Sequence, residues 1–140
     1  MRISSLVVIM ALTACAGGEG PLMLPGQDCL SCHSGSAAKA IDAPVWSVAG
    51  TVYAASDADP NAGVEGALIH ITDAAGVKLT LRSNLAGNFY SAEVLAFPLQ
   101  QVCVERAGAS SCMQNVAQGS CNSCHTLPSQ NQAPGRITAP

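Results

Sequence analysis

The stretch from residue 67 to residue 82, Ala-Leu-Ile-His-Ile-Thr-Asp-Ala-Ala-Gly-Val-Lys-Leu-Thr-Leu-Arg, decides the predicted fold. Its first six residues alternate, with Ala67, Ile69 and Ile71 on one face and His70 on the other. The next four, residues 73–76, have the composition of a tight turn. Val and Leu then alternate with Lys, Thr and Arg over 77–82. This pattern predicts two strands joined by a hairpin, each with one buried face.

The flanking sequence continues the same pattern of short strands and turns. Strand-forming residues cover 45–54, 89–95 and 101–106, and the stretch 56–63 is a loop of turn residues. Aromatic residues make up only 4% of the chain and charged residues 11%, which suits a modest β core. We therefore predict a mainly β protein, a β-sandwich flanked by irregular segments at both ends.

Those irregular segments carry a pentapeptide that occurs twice, Cys-Leu-Ser-Cys-His at 29–33 and Cys-Asn-Ser-Cys-His at 121–125. Both read C-x-x-C-H, the attachment signal for c-type haem. Two thiols at this spacing can add to the two vinyl groups of one haem, and the next residue brings an imidazole to the iron. We predict two covalently attached haem c groups. The residues are Cys29, Cys32, Cys121 and Cys124 for attachment, with His33 and His125 as iron ligands.

Two other uses of the motif stay open. Two Cys and one His could hold zinc, although zinc usually draws its ligands from two nearby segments and these motifs lie far apart in sequence. Iron–sulfur ligation would leave the histidines unexplained.

The second axial ligands are less defined, because the chain has only three histidines. His70 is predicted to face away from the core, either as a surface residue or as the distal ligand of one haem. Met113 and Met23 are candidates for the other iron, or they fill gaps in packing. A side chain of another copy, and hence a homopolymer, or an open face is the remaining possibility.

The N-terminus predicts export. Residues 1–14 have a positive start and a short apolar run, and Leu-Thr-Ala-Cys at 12–15 resembles a bacterial lipobox. Cys15 would then be lipidated; the alternative is an ordinary secretory peptide. The residue after Cys15 is Ala16, whereas in Gram-negative lipoproteins an Asp at this position favours retention in the inner membrane. We therefore expect a lipid-anchored, extracytoplasmic protein at the outer membrane or cell surface. Residues 15–28 read as a flexible tether.

The cysteine count agrees with this location. Of seven cysteines, lipid accounts for one and haem for four. Cys103 and Cys112 remain, and they form a predicted disulfide in an oxidising compartment. Without residues 1–14 the net charge is −4, from five basic and nine acidic side chains, which argues against nucleic acid as a partner.

Four segments resemble a carboxypeptidase regulatory-like domain: Gly-Thr-Val-Tyr at 50–53, Gly-Val-Glu-Gly-Ala-Leu-Ile at 63–69, Thr-Asp-Ala-Ala-Gly at 72–76 and Ser-Asn-Leu-Ala-Gly-Asn-Phe-Tyr at 83–90. The resemblance implies a transthyretin-like Greek-key β-sandwich over 45–106, in a family whose usual role is structural or adhesive. With the flanking motifs, the chain is similar to small di-haem c-type cytochrome lipoproteins. The haem-binding segments would then be 29–44 and, with the disulfide loop and the tail, 107–140.

Two classes of function follow. The first is a membrane-tethered di-haem cytochrome that carries electrons between redox proteins or neighbouring cytochromes, and is not an enzyme. The alternative is a structural or adhesive β-domain lipoprotein with metal-binding C-x-x-C-H segments. A di-haem peroxidase fits less well, because such enzymes resemble longer chains and no acid–base residue is evident beside an open haem.

Overall fold

The computed structural model of the chain describes residues 20–35 and 43–140. The predicted signal peptide, Cys15 and the start of the tether lie outside the described residues, as do residues 36–42 of the first haem-binding segment. The described part is mainly β, as predicted. Its elements are α1 (Leu30–His33), β1 (Val48–Tyr53), β2 (Leu68–Thr72), β3 (Lys78–Arg82), β4 (Asn88–Ser91), β5 (Leu99–Arg106), β6 (Ala109–Val116), a 3₁₀ helix (Cys121–Ser123) and β7 (Ile137–Thr138).

The strands form two sheets that enclose one core. The first sheet has the order β4-β1-β7, in which β4 is antiparallel and β7 parallel to β1. The second has the order β3-β2-β5-β6 and is antiparallel throughout. Apolar side chains of both sheets belong to one buried cluster, which includes Val48 and Val52 from β1 and Val102 and Val104 from β5. The predicted sandwich is confirmed.

The hairpin at 67–82 folds as its alternation predicts. Ile69 pairs with Leu81 and Ile71 with Leu79, and both isoleucines are at most 1% exposed. Full burial of one such side chain contributes about 1.5–3 kcal/mol, so this face alone is a substantial part of the core energy. His70 lies on the opposite face of β2.

Asp73 fixes the turn of this hairpin. Its Oδ1 accepts hydrogen bonds from the amides of Ala75 (2.9 Å) and Val77 (2.8 Å), and its Oδ2 accepts one from the amide of Ala96 (2.9 Å). These backbone amides hold the pKa of the buried Asp73 carboxyl below its usual range. The carboxylate therefore ties the β2–β3 turn to the segment that precedes β5.

Strand β6 was not predicted from the sequence. It is the outer strand of the second sheet, and it is exposed except at Val116. Cys103 of β5 lies directly opposite Cys112 of β6, and the two sulfurs form the predicted disulfide across the strand pair, with Cα atoms 4.0 Å apart.

The C-terminal tail also belongs to the fold. Ile137 pairs with Val52 as a parallel neighbour of β1, and it packs with Ala139 against the core. The tail therefore completes an edge of the first sheet. Among the described residues, no helix is both long enough and apolar enough to cross a membrane.

Candidate functional site

The two C-x-x-C-H motifs, distant in sequence, meet beside β1. Ser120 Oγ, just before the second motif, donates a hydrogen bond to Asp28 Oδ1, just before the first. Asn122 Nδ2, inside the second motif, donates to the carbonyl of Gln27 at 2.8 Å. We call the contacts of residues 26–28 with residues 120–122 the clasp. The clasp makes one site of two segments from opposite ends of the described chain.

The second motif is held to β1 by its backbone. Ser120 forms a parallel bridge with Ala49, whose amide donates to the carbonyl of Gly119 at 2.9 Å. A Cβ at position 119 would lie 1.8 Å from the carbonyl oxygen of Ser47, so only glycine allows this approach. The motif therefore begins at a position fixed by the strand.

Asn122 completes this attachment. Only 2% exposed, it accepts from the amide of Thr51 through Oδ1 at 3.0 Å and donates to Thr51 Oγ1 through Nδ2 at 3.0 Å. Thr51 Oγ1 also accepts from the amide of Gly26 at 2.9 Å and donates to Asn88 Oδ1 at 2.8 Å. Thr51 thus joins both sides of the clasp to the centre of the first sheet.

Each motif winds into one helical turn. The amide of His33 donates to the carbonyl of Cys29 at 3.0 Å, and the amide of His125 donates to the carbonyl of Cys121 at 3.0 Å. Residues three and four apart lie on one face of such a turn. A turn of this kind allows a C-x-x-C-H segment to present both cysteines and its histidine to one group.

The two motif histidines have the same tautomer for the same reason. His33 Nδ1 lies 2.8 Å from the carbonyl oxygen of Pro44, and His125 Nδ1 lies 3.0 Å from that of Gly135. A carbonyl only accepts hydrogen bonds, so each Nδ1 carries a proton and Nε2 is the ring nitrogen that is left to bind a ligand. Neither Nε2 has a hydrogen bond among the described residues. This is the arrangement of a metal-ligating histidine, whose other nitrogen is fixed by a second partner.

Aromatic stacking further orients the first histidine. The ring of His33 stacks on that of Trp46 at 3.8 Å between centroids, and Trp46 stacks on Tyr90 at 4.2 Å. His33 is 7% exposed. Its plane is therefore set by packing as well as by the Pro44 carbonyl.

The four motif thiols differ in their surroundings. Burial raises the pKa of Cys29 to about 11, helped by the Asp28 charge, and burial raises the pKa of Cys121 to about 12. Both are therefore neutral S–H groups at neutral pH. Cys121 packs against the sandwich core, and Asn131 Nδ2 donates to Cys124 Sγ at 3.2 Å. Cys32 is disulfide-bonded.

The geometry bears on the zinc alternative. Among the described residues, no three His, Cys, Asp or Glu side chains converge closely enough to hold a metal ion. The meeting of the motifs at the clasp therefore does not create a shared tetrahedral site from protein ligands alone.

The candidate distal ligands lie in different places. His70 is in the second sheet, and its Nδ1 and Nε2 lie 3.0 Å from Thr80 Oγ1 and 3.0 Å from Glu105 Oε2. Met113 lies on β6, half exposed, in the same sheet. The structure brings neither to the motifs. Met23 is nearer to them, since its carbonyl accepts from Asn88 Nδ2 at 3.0 Å.

A cleft of about 550 Å³ opens at the clasp. Its walls are residues 25–28, Pro60, residues of the second motif and the turn that follows it, and Arg136. Sequence reasoning did not identify Asn122, Thr51 or Arg136 as part of the site. The sequence signals near them are Gly26 and Gly119, which precede the two motifs, and the charge of Arg136 itself in a tail that is otherwise uncharged.

Comparisons with protein-family models, with curated proteins and with solved structures find no match to this chain.

Proposed function

We propose that this chain is a lipid-anchored, extracytoplasmic di-haem c-type cytochrome that carries electrons between redox partners. The observation that supports this most is the shared geometry of the motifs, in which each histidine closes a helical turn and has Nδ1 held by a backbone carbonyl. Cys29, Cys32 and His33 would hold one haem. Cys121, Cys124 and His125 would hold the other.

The donor set suits the group chemically. A neutral thiol can add its S–H across a vinyl double bond to form a thioether, with no change in overall oxidation state. The raised pKa values of Cys29 and Cys121 keep these thiols protonated until that addition. Attachment at Cys32 requires its disulfide to be reduced first. When bound, haem supplies one-electron cycling of its iron.

The residues around the histidines would tune this chemistry. The Pro44 and Gly135 carbonyls accept from Nδ1, which increases the basicity of Nε2 and fixes each ring. Trp46 limits rotation of the His33 ring. Because these partners are backbone carbonyls and a packed ring, His33 and His125 would need little reorganisation during electron transfer at a bound haem.

The clasp supports electron exchange within one chain. Two direct hydrogen bonds, Ser120 to Asp28 and Asn122 to Gln27, join the residues just before the first motif to the start of the second. Two haems attached beside this contact would be neighbours, so that an electron could enter at one and leave from the other.

The rest of the proposal concerns location and partners. Lipidation of Cys15 would anchor the chain, and Cys15→Ser is expected to release it from membranes or block its processing. Partners are redox proteins or neighbouring cytochromes. In a homopolymer, a side chain of the next copy would be a source of distal ligands; His70 would serve as one only after it leaves Thr80 and Glu105.

A second candidate is a structural or adhesive β-domain whose motifs bind metal or only stabilise. The sandwich fold and the disulfide at Cys32 favour it.

An optical redox titration of protein matured in a bacterial periplasm separates the two. The cytochrome proposal expects reversible haem absorption bands that fit two one-electron steps. Protein without such bands, carrying stoichiometric zinc or no metal, would support the structural candidate instead.

A further inference from the structure

Arg136 is a buried cation with little to neutralise it. It is 7% exposed, its Nε donates to the carbonyl of Ala58 at 2.8 Å, and its guanidinium carbon lies 4.5 Å from the centre of the Tyr53 ring. Within residues 20–35 and 43–140, no carboxylate oxygen lies within 4 Å of its nitrogens, since the one ion pair found there is His70–Glu105.

Two acidic residues of this region, Asp28 and Asp59, hydrogen-bond to other groups. Asp28 lines the same cleft, but its Oδ1 accepts from Ser120. Asp59 is exposed, and its Oδ1 accepts from the amide of Asn61 at 2.8 Å. A guanidinium has five N–H donors, and burying its charge without an anion is costly. The cleft therefore offers a cation and spare donors to an anionic ligand.

The position of Arg136 connects it to the second motif. The preceding residue, Gly135, supplies the carbonyl that fixes His125 Nδ1. Ser123, Thr126 and Leu127 line the cleft together with Arg136. One short segment therefore positions both the expected iron ligand and the cleft cation.

We propose that Arg136 binds a carboxylate of the haem held at the second motif, that is, a propionate side chain. This inference rests on the proposed function. A guanidinium binds a carboxylate through two parallel hydrogen bonds, which lysine cannot reproduce. The cation also favours the reduced iron, so that losing it lowers the reduction potential of that haem.

The test uses full-length protein in which Cys29→Ala and Cys32→Ala leave only the second haem. Arg136→Gln, Arg136→Lys and the control Arg106→Gln are compared by optical redox titration, with haem content measured by mass spectrometry. Arg106 is exposed at the end of β5. We expect Arg136→Gln to shift the potential to a more negative value, Arg136→Lys to shift it less, and Arg106→Gln to leave it unchanged.

Haem-loaded Arg136→Gln with an unshifted potential would overturn the inference and leave the cytochrome proposal standing. Absence of covalent haem in the parent protein would instead overturn the proposed function. If Arg136→Gln does not fold, the test uses Arg136→Lys and resonance Raman spectra. The frequency of the propionate bending band must change in this variant, because lysine cannot form the two parallel hydrogen bonds; an unchanged frequency would overturn the inference. A potential that falls when phosphate is added to the parent protein would indicate that Arg136 is free to bind a solution anion, and would contradict propionate binding.

Discussion

At the scale of single residues, the three histidines differ in how many of their ring nitrogens have a hydrogen-bond partner. His33 and His125 each use Nδ1 on a backbone carbonyl and leave Nε2 for a ligand. His70 has partners at both nitrogens, Thr80 and Glu105. The alternation of β2 predicted that His70 faces outward. It could not predict that Thr80 and Glu105, on the two neighbouring strands, would lie within hydrogen-bond distance of both ring nitrogens.

The first prediction compares these rings. For the proposed di-haem protein we expect His33→Ala and His125→Ala each to alter the spin state of one haem, because each removes the nitrogen that would bind its iron. His70→Ala is the matched control, and we expect it to leave the absorption and electron paramagnetic resonance spectra of both haems unchanged. A high-spin signal in His70→Ala would return His70 to the role of distal ligand that the sequence suggested.

The second prediction concerns Asn122. Asn122→Ala removes three hydrogen bonds and leaves the buried amide of Thr51 without its acceptor. An unsatisfied buried group costs about 1–3 kcal/mol, so we expect urea unfolding to show a loss of at least this size. Asn61→Ala, at an exposed asparagine, is the control and should change stability little. Equal stability of both variants would mean that Asn122 does not hold the clasp.

At the scale of elements, predictability followed the strength of the local pattern. The hairpin at 67–82 alternates over both strands, and it was predicted with the correct buried face. Strand β6 was not predicted, because its sequence, Ala-Ser-Ser-Cys-Met-Gln-Asn-Val, has almost no apolar face. A strand at the edge of a sheet does not need such a face. Strand β7 has two residues, too few for any periodicity.

The third prediction tests the cross-strand disulfide. Replacing Cys103 and Cys112 together by Ala opens a loop with a sequence separation of 9 residues. The chain-entropy model gives about 2.5–3 kcal/mol for a loop of this length, and we expect urea unfolding to show a loss of that order. Ser111→Ala, on the same exposed strand, is the control. Two alkylatable thiols at these positions in the unreduced native protein would contradict the disulfide.

The fourth prediction uses the Asp73 turn. Because backbone amides lower the pKa of Asp73 in the folded state, its contribution is fully present above the unfolded pKa near 4 and is lost as pH falls through the folded value. We expect Asp73→Asn to be less stable than the parent at pH 7, with the difference shrinking below about pH 4. Thermal unfolding between pH 2 and pH 7 measures this, with Asp57→Asn as the exposed control. A difference that stays constant down to pH 2 would contradict this account of Asp73.

At the scale of the whole molecule, the main finding is that the two motifs meet. The residue types and spacing predict each motif alone, but they do not predict that the two motifs lie side by side in the fold. Their meeting depends on closure of the sandwich, because β1 must be in place before Ser120 can bridge to Ala49 and Asn122 can reach Thr51. Such contacts between distant segments leave no local pattern, and the same is true of Arg136, whose burial depends on Tyr53 and Ala58.

The meeting of the motifs also changes what the proposed cytochrome would do. Two independent sites would titrate without influence on each other. Two haems beside the clasp are expected to interact, so that reducing one lowers the potential of the other through repulsion of the added charge. Loss of this interaction in Asn122→Ala would connect the clasp to electron exchange.

The central claim is tested most directly by the intact mass of the periplasm-matured protein, measured after acid–acetone extraction. We predict a polypeptide that stays coloured and carries two haem increments. Loss of one increment is expected when Cys29 and Cys32 are replaced by Ala, and loss of the other when Cys121 and Cys124 are. A colourless polypeptide with no haem increment, its motif cysteines in disulfides or bound to zinc, would contradict the account.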